Sequence, residues 1–153
     1  MTIHRNEYGQ LRAMPPTALQ SGVVAAVIFT HTFTAAKGDF TAASDILEIG
    51  MLPAGCRPIS ATLIGDGFGA ITADVGFMTG QPGAATNDDG SARTSADELF
   101  DGVSVNDAEN AATKATLLAI SPSAAHRSIG VKLSGNVVAD GSQTVTVLVQ
   151  YSY

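Results

Sequence analysis

Apolar and polar residues alternate one for one through most of this chain, from about residue 23 to the last residue, Tyr153. In the terminal run Val145, Val147, Val149, Tyr151 and Tyr153 alternate with Thr144, Thr146, Gln150 and Ser152, and Leu148 alone breaks the polar set. Successive side chains leave a strand on opposite faces, so a period of two marks a half-buried strand. Ile71, Ala73, Val75 and Phe77 repeat the pattern against Thr72, Asp74 and Gly76, as do Ile129, Val131 and Leu133 against Ser128, Gly130 and Lys132. The chain is expected to be all-β. Its polar positions are filled mostly by Thr, Ser and Gly, so charged residues make up 14% of it, where a soluble domain usually carries roughly 25%. Such a surface suits a building block that meets neighbours.

At 153 residues one domain with a sizeable core is expected. Aromatic residues are 6% and Trp is absent, so that core is aliphatic with a few Phe. The formal net charge is -6, and nine of the fourteen acidic residues lie between Asp66 and Glu109, where Arg93 is the only base. That sign disfavours phosphate backbones and anionic lipid, so neither nucleic acid nor membrane is expected as a partner. Cys56 has no second cysteine to pair with, and no apolar run approaches the roughly 20 residues of a membrane-spanning helix. The opening residues Met1 to Glu7 are polar and lead to no apolar core before Pro15-Pro16, so no secretion signal is expected and synthesis in a cytoplasm is.

Residues 1 to 20 show neither helical nor strand periodicity and read as an extended N-terminal arm, with residues 21 to 153 as the folded domain. Beyond the arm, strands are expected at Val23 to Thr34, around Leu47, Ile49 and Met51, around Ile59, Ala61 and Leu63, and at Ala70 to Met78. Further strands follow at Asp97 to Val105, Arg127 to Ser134 and Gln143 to Tyr153. The strand containing Leu63 and the one starting at Ala70 read as a hairpin across Gly65-Asp66-Gly67-Phe68-Gly69. Residues 80 to 96 form a long polar excursion, and long loops are often contact surfaces. Asn106 to Ala119 reads as loop or short helix followed by a strand through Leu117 to Ile120. About eight short strands without βαβ spacing predict an antiparallel β-sandwich, jelly-roll-like.

Nothing in the chain proposes catalysis or a cofactor. Gly65 to Ala70 satisfies a loose dinucleotide fingerprint, but a strand follows where that motif needs a helix N-terminus. The acidic stretch from Asn87 has its glycine at Gly90, which is out of register for a calcium loop. His4, His31 and His126 are widely spaced, and His31, between Phe29 and Phe33, reads as a hydrogen-bonded core histidine. Asp97, Glu98 and Asp101 read as a solvated loop. No metal site is expected, and the chain is expected not to be an enzyme.

Three stretches together resemble the capsid decoration, or cement, proteins of tailed bacteriophages. They are Asp45 to Ile49 leading to Leu52-Pro53-Ala54-Gly55, Asp74 to Gly80, and His126 to Lys132 followed by the terminal Val-rich strand. The resemblance runs from residue 20 to 153 and implies a β-sandwich that oligomerises, commonly as a homotrimer, on the outer capsid surface over junctions of the major capsid protein. The arm matches nothing in that pattern. Read from its own residues, it carries Ile3, Arg5, Tyr8, Leu11, Arg12, Met14 and Leu19 as spaced anchors for a partner. A tail or baseplate β-protein is an alternative, as is a carbohydrate-binding sandwich, against which the missing Trp and sparse aromatics weigh.

Overall fold

The computed structural model describes residues 1–5 and 23–153. Nine strands are found among them: β1 (Ile3–Arg5), β2 (Val24–Thr32), β3 (Ile46–Leu52), β4 (Arg57–Asp66), β5 (Thr72–Phe77), β6 (Phe100–Ser104), β7 (Ala108–Ala111), β8 (Arg127–Leu133) and β9 (Thr144–Ser152). A 3-10 turn (Ala35–Lys37) follows β2, and one short helix, α1 (Lys114–Ala119), follows β7. The strands form a five-stranded sheet in the order β1-β3-β8-β5-β6 and a four-stranded sheet in the order β2-β9-β4-β7. The fold is an all-β sandwich.

Strand order explains how one chain makes both layers. β2 pairs with β9, β3 with β8, β4 with β7 and β5 with β6, all antiparallel. This is one long hairpin whose two arms cross together between the sheets, which is the jelly-roll plan. The tip of the hairpin is the connection from β5 to β6, so residues 80 to 96 are that tip. The hairpin expected between the strands at Leu63 and Ala70 does not form, because β4 and β5 lie in different sheets. Gly65 to Gly69 instead carries the chain across the sandwich edge.

Asn106 to Ala119 reverses its expected order: strand first, then helix. Ala108–Ala111 finds backbone partners on β4 through Thr62 to Gly65, and a sheet edge outweighs the helix preference of alanine. Thr113 then caps α1 by accepting a hydrogen bond from the Thr116 N–H at 3.2 Å, and Leu117 is buried. No strand forms through Leu117 to Ile120.

The core is built from the inward faces, with Val27 and Phe29 of β2, Leu63 of β4, Val75 of β5, Ile129 and Val131 of β8, and Val145, Val147, Val149 and Tyr151 of β9. Phe33, Phe40 and Phe68 close one end, Phe33 meeting the other two edge-on at 5.9 and 5.7 Å. The two sheets differ on their outer faces. The tip segment folds back over the five-stranded sheet, held by Met78 N–H to Ser128 O at 2.9 Å and Ala96 N–H to Phe77 O at 3.1 Å. Gly130 permits this, since a Cβ there would lie 2.5 Å from the Ser95 hydroxyl. β3 and β8 are therefore buried along nearly their whole length.

Candidate docking surface

Nothing among the described residues covers the outer face of the four-stranded sheet. Register places Ile28 opposite Leu148, Leu148 opposite Thr62, and Thr62 opposite Ala111, giving one row across all four strands in which Thr62 is the polar member. The neighbouring rows are Ala26, Gln150 and Ser60 on one side and Thr30, Thr146, Ile64 and Glu109 on the other. Val24 is 54% exposed, Ile28 57% and Ile64 41%. Threonine hydroxyls bond one another across the strands, Thr30 to Thr146 at 3.0 Å and Thr32 to Thr144 at 3.1 Å. Pairing of that kind satisfies these four hydroxyls within the sheet, and few charges lie on the face. Arg57, Asp66 and Glu109 lie only on its outer rows or strand ends. Beside it, Ile59 at the β4 bulge and Leu118 of α1 border a cavity of about 160 Å³ that also touches Arg57, Pro58, Lys114 and Leu117.

Two of the arm's expected anchors, Ile3 and Arg5, lie among the described residues, and both belong to the chain's own sheet. Ile3–Arg5 pairs in parallel with Ile46–Glu48. His4 is buried, with its Nε2 3.1 Å from Asp45. The Thr2 and Thr41 N–H groups and the Ser44 hydroxyl also reach the Asp45 carboxylate. Burial pushes the Asp45 carboxyl up, but these hydrogen bonds outweigh it and hold its pKa down to about 2. Arg5 Nε donates to Glu48 Oε2 at 3.0 Å and Arg5 Nη2 to Ala84 O at 2.8 Å. The backbone of residues 3 to 5 and the Arg5 guanidinium are thus engaged within the fold. Tyr8, Leu11, Arg12, Met14 and Leu19 lie outside the described residues.

Glu48 joins β1, the tip segment and β8 at one point. Its Oε1 accepts from Arg93 Nη2 at 3.1 Å, from Gly83 N–H at 3.0 Å and from the Ser128 hydroxyl. Arg93, wholly buried, also donates to Thr79 O at 2.7 Å and Ala84 O at 2.9 Å. Burial raises the Glu48 pKa, and the hydrogen bonds from Arg93, Ser128 and Gly83, with the Arg93 charge, bring it below the ordinary carboxylate value. Sequence reading singled out Arg93 as the lone base in an acidic stretch but not its partner. A buried Glu in a strand of Leu, Ile and Met is the signal that was there to be read. His31 is buried as expected, yet neither ring nitrogen has a hydrogen-bond partner. Phe33 packs edge-on against the ring at 4.7 Å, an aromatic contact where a hydrogen bond was expected.

A rolled hairpin, with one sheet covered by the tip segment and the other uncovered by any of the described residues, defines a jelly-roll module. No family model and no curated protein sequence matches the chain. A protein in the solved capsid of Ralstonia phage GP4 is 30% identical to it, covering 99% of this chain and 97% of its own, with a TM-score of 0.82. A protein in the capsid asymmetric unit of cyanophage Pam1 shares the fold at 20% identity, with 92% and 91% of the two chains covered and a TM-score of 0.56. The chain belongs to the family of phage capsid proteins represented in the GP4 capsid, and its role is structural, within a virion.

Proposed function

We propose that the chain is a cement protein: it binds the outer surface of a phage head and clamps neighbouring subunits of the major capsid protein together, without catalysis of its own. The observation that carries this reading is the asymmetry between the two sheets. The tip segment folds over one outer face and leaves Val24, Ile28, Ile64 and Leu148 of the other open. Burial of apolar surface drives association in water, at about 25 cal/mol per Å². A patch of this composition on a capsid-family protein is the natural docking surface against the lattice. Residues 3 to 5 are engaged in the chain's own sheet, so the sheet face takes the docking role ahead of the arm. Copies are proposed to group as homotrimers, so that several such contacts act together through a high effective concentration.

Undecorated heads mixed with the purified chain test this directly. Parent protein should bind saturably and raise the temperature at which heads release their contents. Ile28→Lys, on the exposed centre of the face, should keep the parent's circular dichroism and lose binding at least about tenfold, the penalty of burying an unpaired ammonium. Equal binding by Ile28→Lys would remove the face from the docking surface. Light scattering gives the mass in solution and tests the trimer separately.

A further inference from the structure

Val138, in the loop from β8 to β9, is 67% exposed, yet its neighbours Val137 and Ala139 are both buried. Backbone bonds fix the loop around it. Val137 and Phe40 exchange N–H to O bonds of 2.9 Å, Asp140 N–H donates to Val138 O at 2.9 Å, and Ala139 N–H donates to Asp39 Oδ1 at 2.9 Å. The isopropyl group is thus held outward between two exposed carboxylates, Asp39 and Asp140. The Ser142 hydroxyl, then its N–H, hold the Asp140 carboxyl below the ordinary carboxylate range, so it is ionised at neutral pH. An apolar knob presented on bonded backbone loses little freedom when a partner covers it.

The cavity between the β4 bulge and α1 has the opposite make-up. Its apolar walls are the buried Pro58 and Leu117 and the exposed Ile59 and Leu118, and its two ionisable residues, Arg57 and Lys114, are cations. Among the described residues neither cation takes part in an ion pair. At about 160 Å³ the cavity has room for one branched aliphatic side chain, since a hollow of about 150 Å³ admits benzene. Knob and socket therefore match twice over, apolar group to apolar hollow and two anions to two cations. They cannot meet within one copy. The knob precedes Thr144 at the start of β9, and Arg57 of the socket pairs with Ser152 near its other end. The nine residues of β9 hold them apart by roughly 30 Å, at about 3.3 Å per residue.

We propose that Val138 of one copy seats in the cavity beside Leu118 of the next, with Asp39 and Asp140 facing Arg57 and Lys114, and that three copies close head-to-tail through this contact. The inference rests on the homotrimer of the cement reading and supplies its contact; it is independent of what the sheet face docks against. A contact between two different patches closes into a ring when its rotation allows. A three-fold axis normal to the four-stranded sheet joins knob to socket end to end and keeps all three open faces on one side. Burial of the knob supplies the attraction, and the exposed charges fix which end meets which, such pairs being worth little energy by themselves.

Sedimentation equilibrium of the full chain, beside Val138→Lys and Leu118→Glu, tests the contact. The parent should have the mass of a trimer. Each variant changes a residue exposed in the single copy, so it should keep the parent's circular dichroism. Each should associate at least about tenfold more weakly, because it sets an ammonium against Arg57 and Lys114 or a carboxylate against Asp39 and Asp140. A chain carrying Leu118→Cys and Val138→Cys together should, on oxidation, run as a covalent trimer on a non-reducing gel, both in solution and on decorated heads. Either cysteine alone should give none. A parent that is no trimer in solution, with no covalent trimer from the paired cysteines on heads, would overturn the homotrimer and this contact together. A parent trimer that either charged substitution leaves as tight, or that the paired cysteines fail to link, would overturn this contact and leave the homotrimer standing.

Discussion

At the scale of single residues the fold depends on a few buried charges that are fully partnered. Glu48 and Arg93 sit between a strand and the tip segment with the Arg93 donors placed on Glu48, Ser128, Thr79 and Ala84. Removing Arg93 leaves the buried Glu48 with Arg5 as its remaining cationic partner, at a cost of up to about 3–5 kcal/mol. Arg93→Leu should therefore lower the urea midpoint by that equivalent and free residues 80 to 96 to proteolysis, whereas Lys132→Leu, at the half-exposed pair with Asp74, should change it little. Acid acts through two other groups. His31 has a folded pKa of about 4 against an ordinary 6.5, so in that window the unfolded chain binds the proton and stability falls as pH is lowered, by on the order of 3 kcal/mol. Asp45, with a folded pKa of about 2 against an ordinary 3.8, contributes stability that is present above about pH 4 and lost on the way to pH 2, on the order of 2 kcal/mol. Denaturant titrations at pH 7, 4 and 2 should show both steps, and His31→Phe should abolish the first. A flat profile from pH 7 to 4 in the parent would contradict the assignment.

Elements inherit these constraints. β1 is three residues long and would be marginal by itself, but it brings His4 and Arg5 onto two buried carboxylates of or beside β3. With residues 21 to 153 read from the sequence as the folded domain, deleting residues 1 to 20 would be expected to leave the fold's stability unchanged. The geometry predicts otherwise: that truncation should cost about 2–4 kcal/mol, two charge-assisted hydrogen bonds being worth roughly 1.5–3 kcal/mol each before re-solvation. Differential scanning calorimetry of the two chains reads the difference. Gly50 of β3 makes a second case, because an added Cβ would lie 2.5 Å from the Phe29 ring. Gly50→Ala should destabilise by about 1–3 kcal/mol through overpacking. Strands with strict alternation, such as β9 and β8, were legible because one face is wet or covered and the other dry. What was hidden is non-local. Which strand β4 joins depends on the crossing of two arms of a hairpin, and no period in Arg57 to Phe77 encodes it. The same holds at Ala108 to Ala111, where partner β4 decides between two conformations the sequence leaves balanced. The open face was half legible: the strand from Val23 to Thr34 was expected, but the row from Ile28 through Leu148 and Thr62 to Ala111 exists only once the register is known.

For the whole molecule, the placement of charge decides how it should associate. The net charge is -6, yet the bare sheet face carries almost none of it, and Thr, Ala, Ile and Val fill its rows. Long-range electrostatics between this chain and an acidic lattice would be weakly repulsive and screened within about 10 Å at 0.1 M salt. Contact energy would then come from apolar burial, which salt does not screen. Binding to undecorated heads should accordingly hold constant, or tighten slightly, as sodium chloride rises from about 50 to 500 mM, a range over which the Debye length falls several-fold. Isothermal calorimetry over a temperature series should give a negative heat-capacity change, the mark of apolar surface leaving water. A docking mode resting instead on Arg12 or the acidic residues of 80 to 96 would weaken by an order of magnitude or more over the same salt series. That result, with a heat-capacity change near zero, would move the contact away from the sheet face and onto the charged segments of the chain.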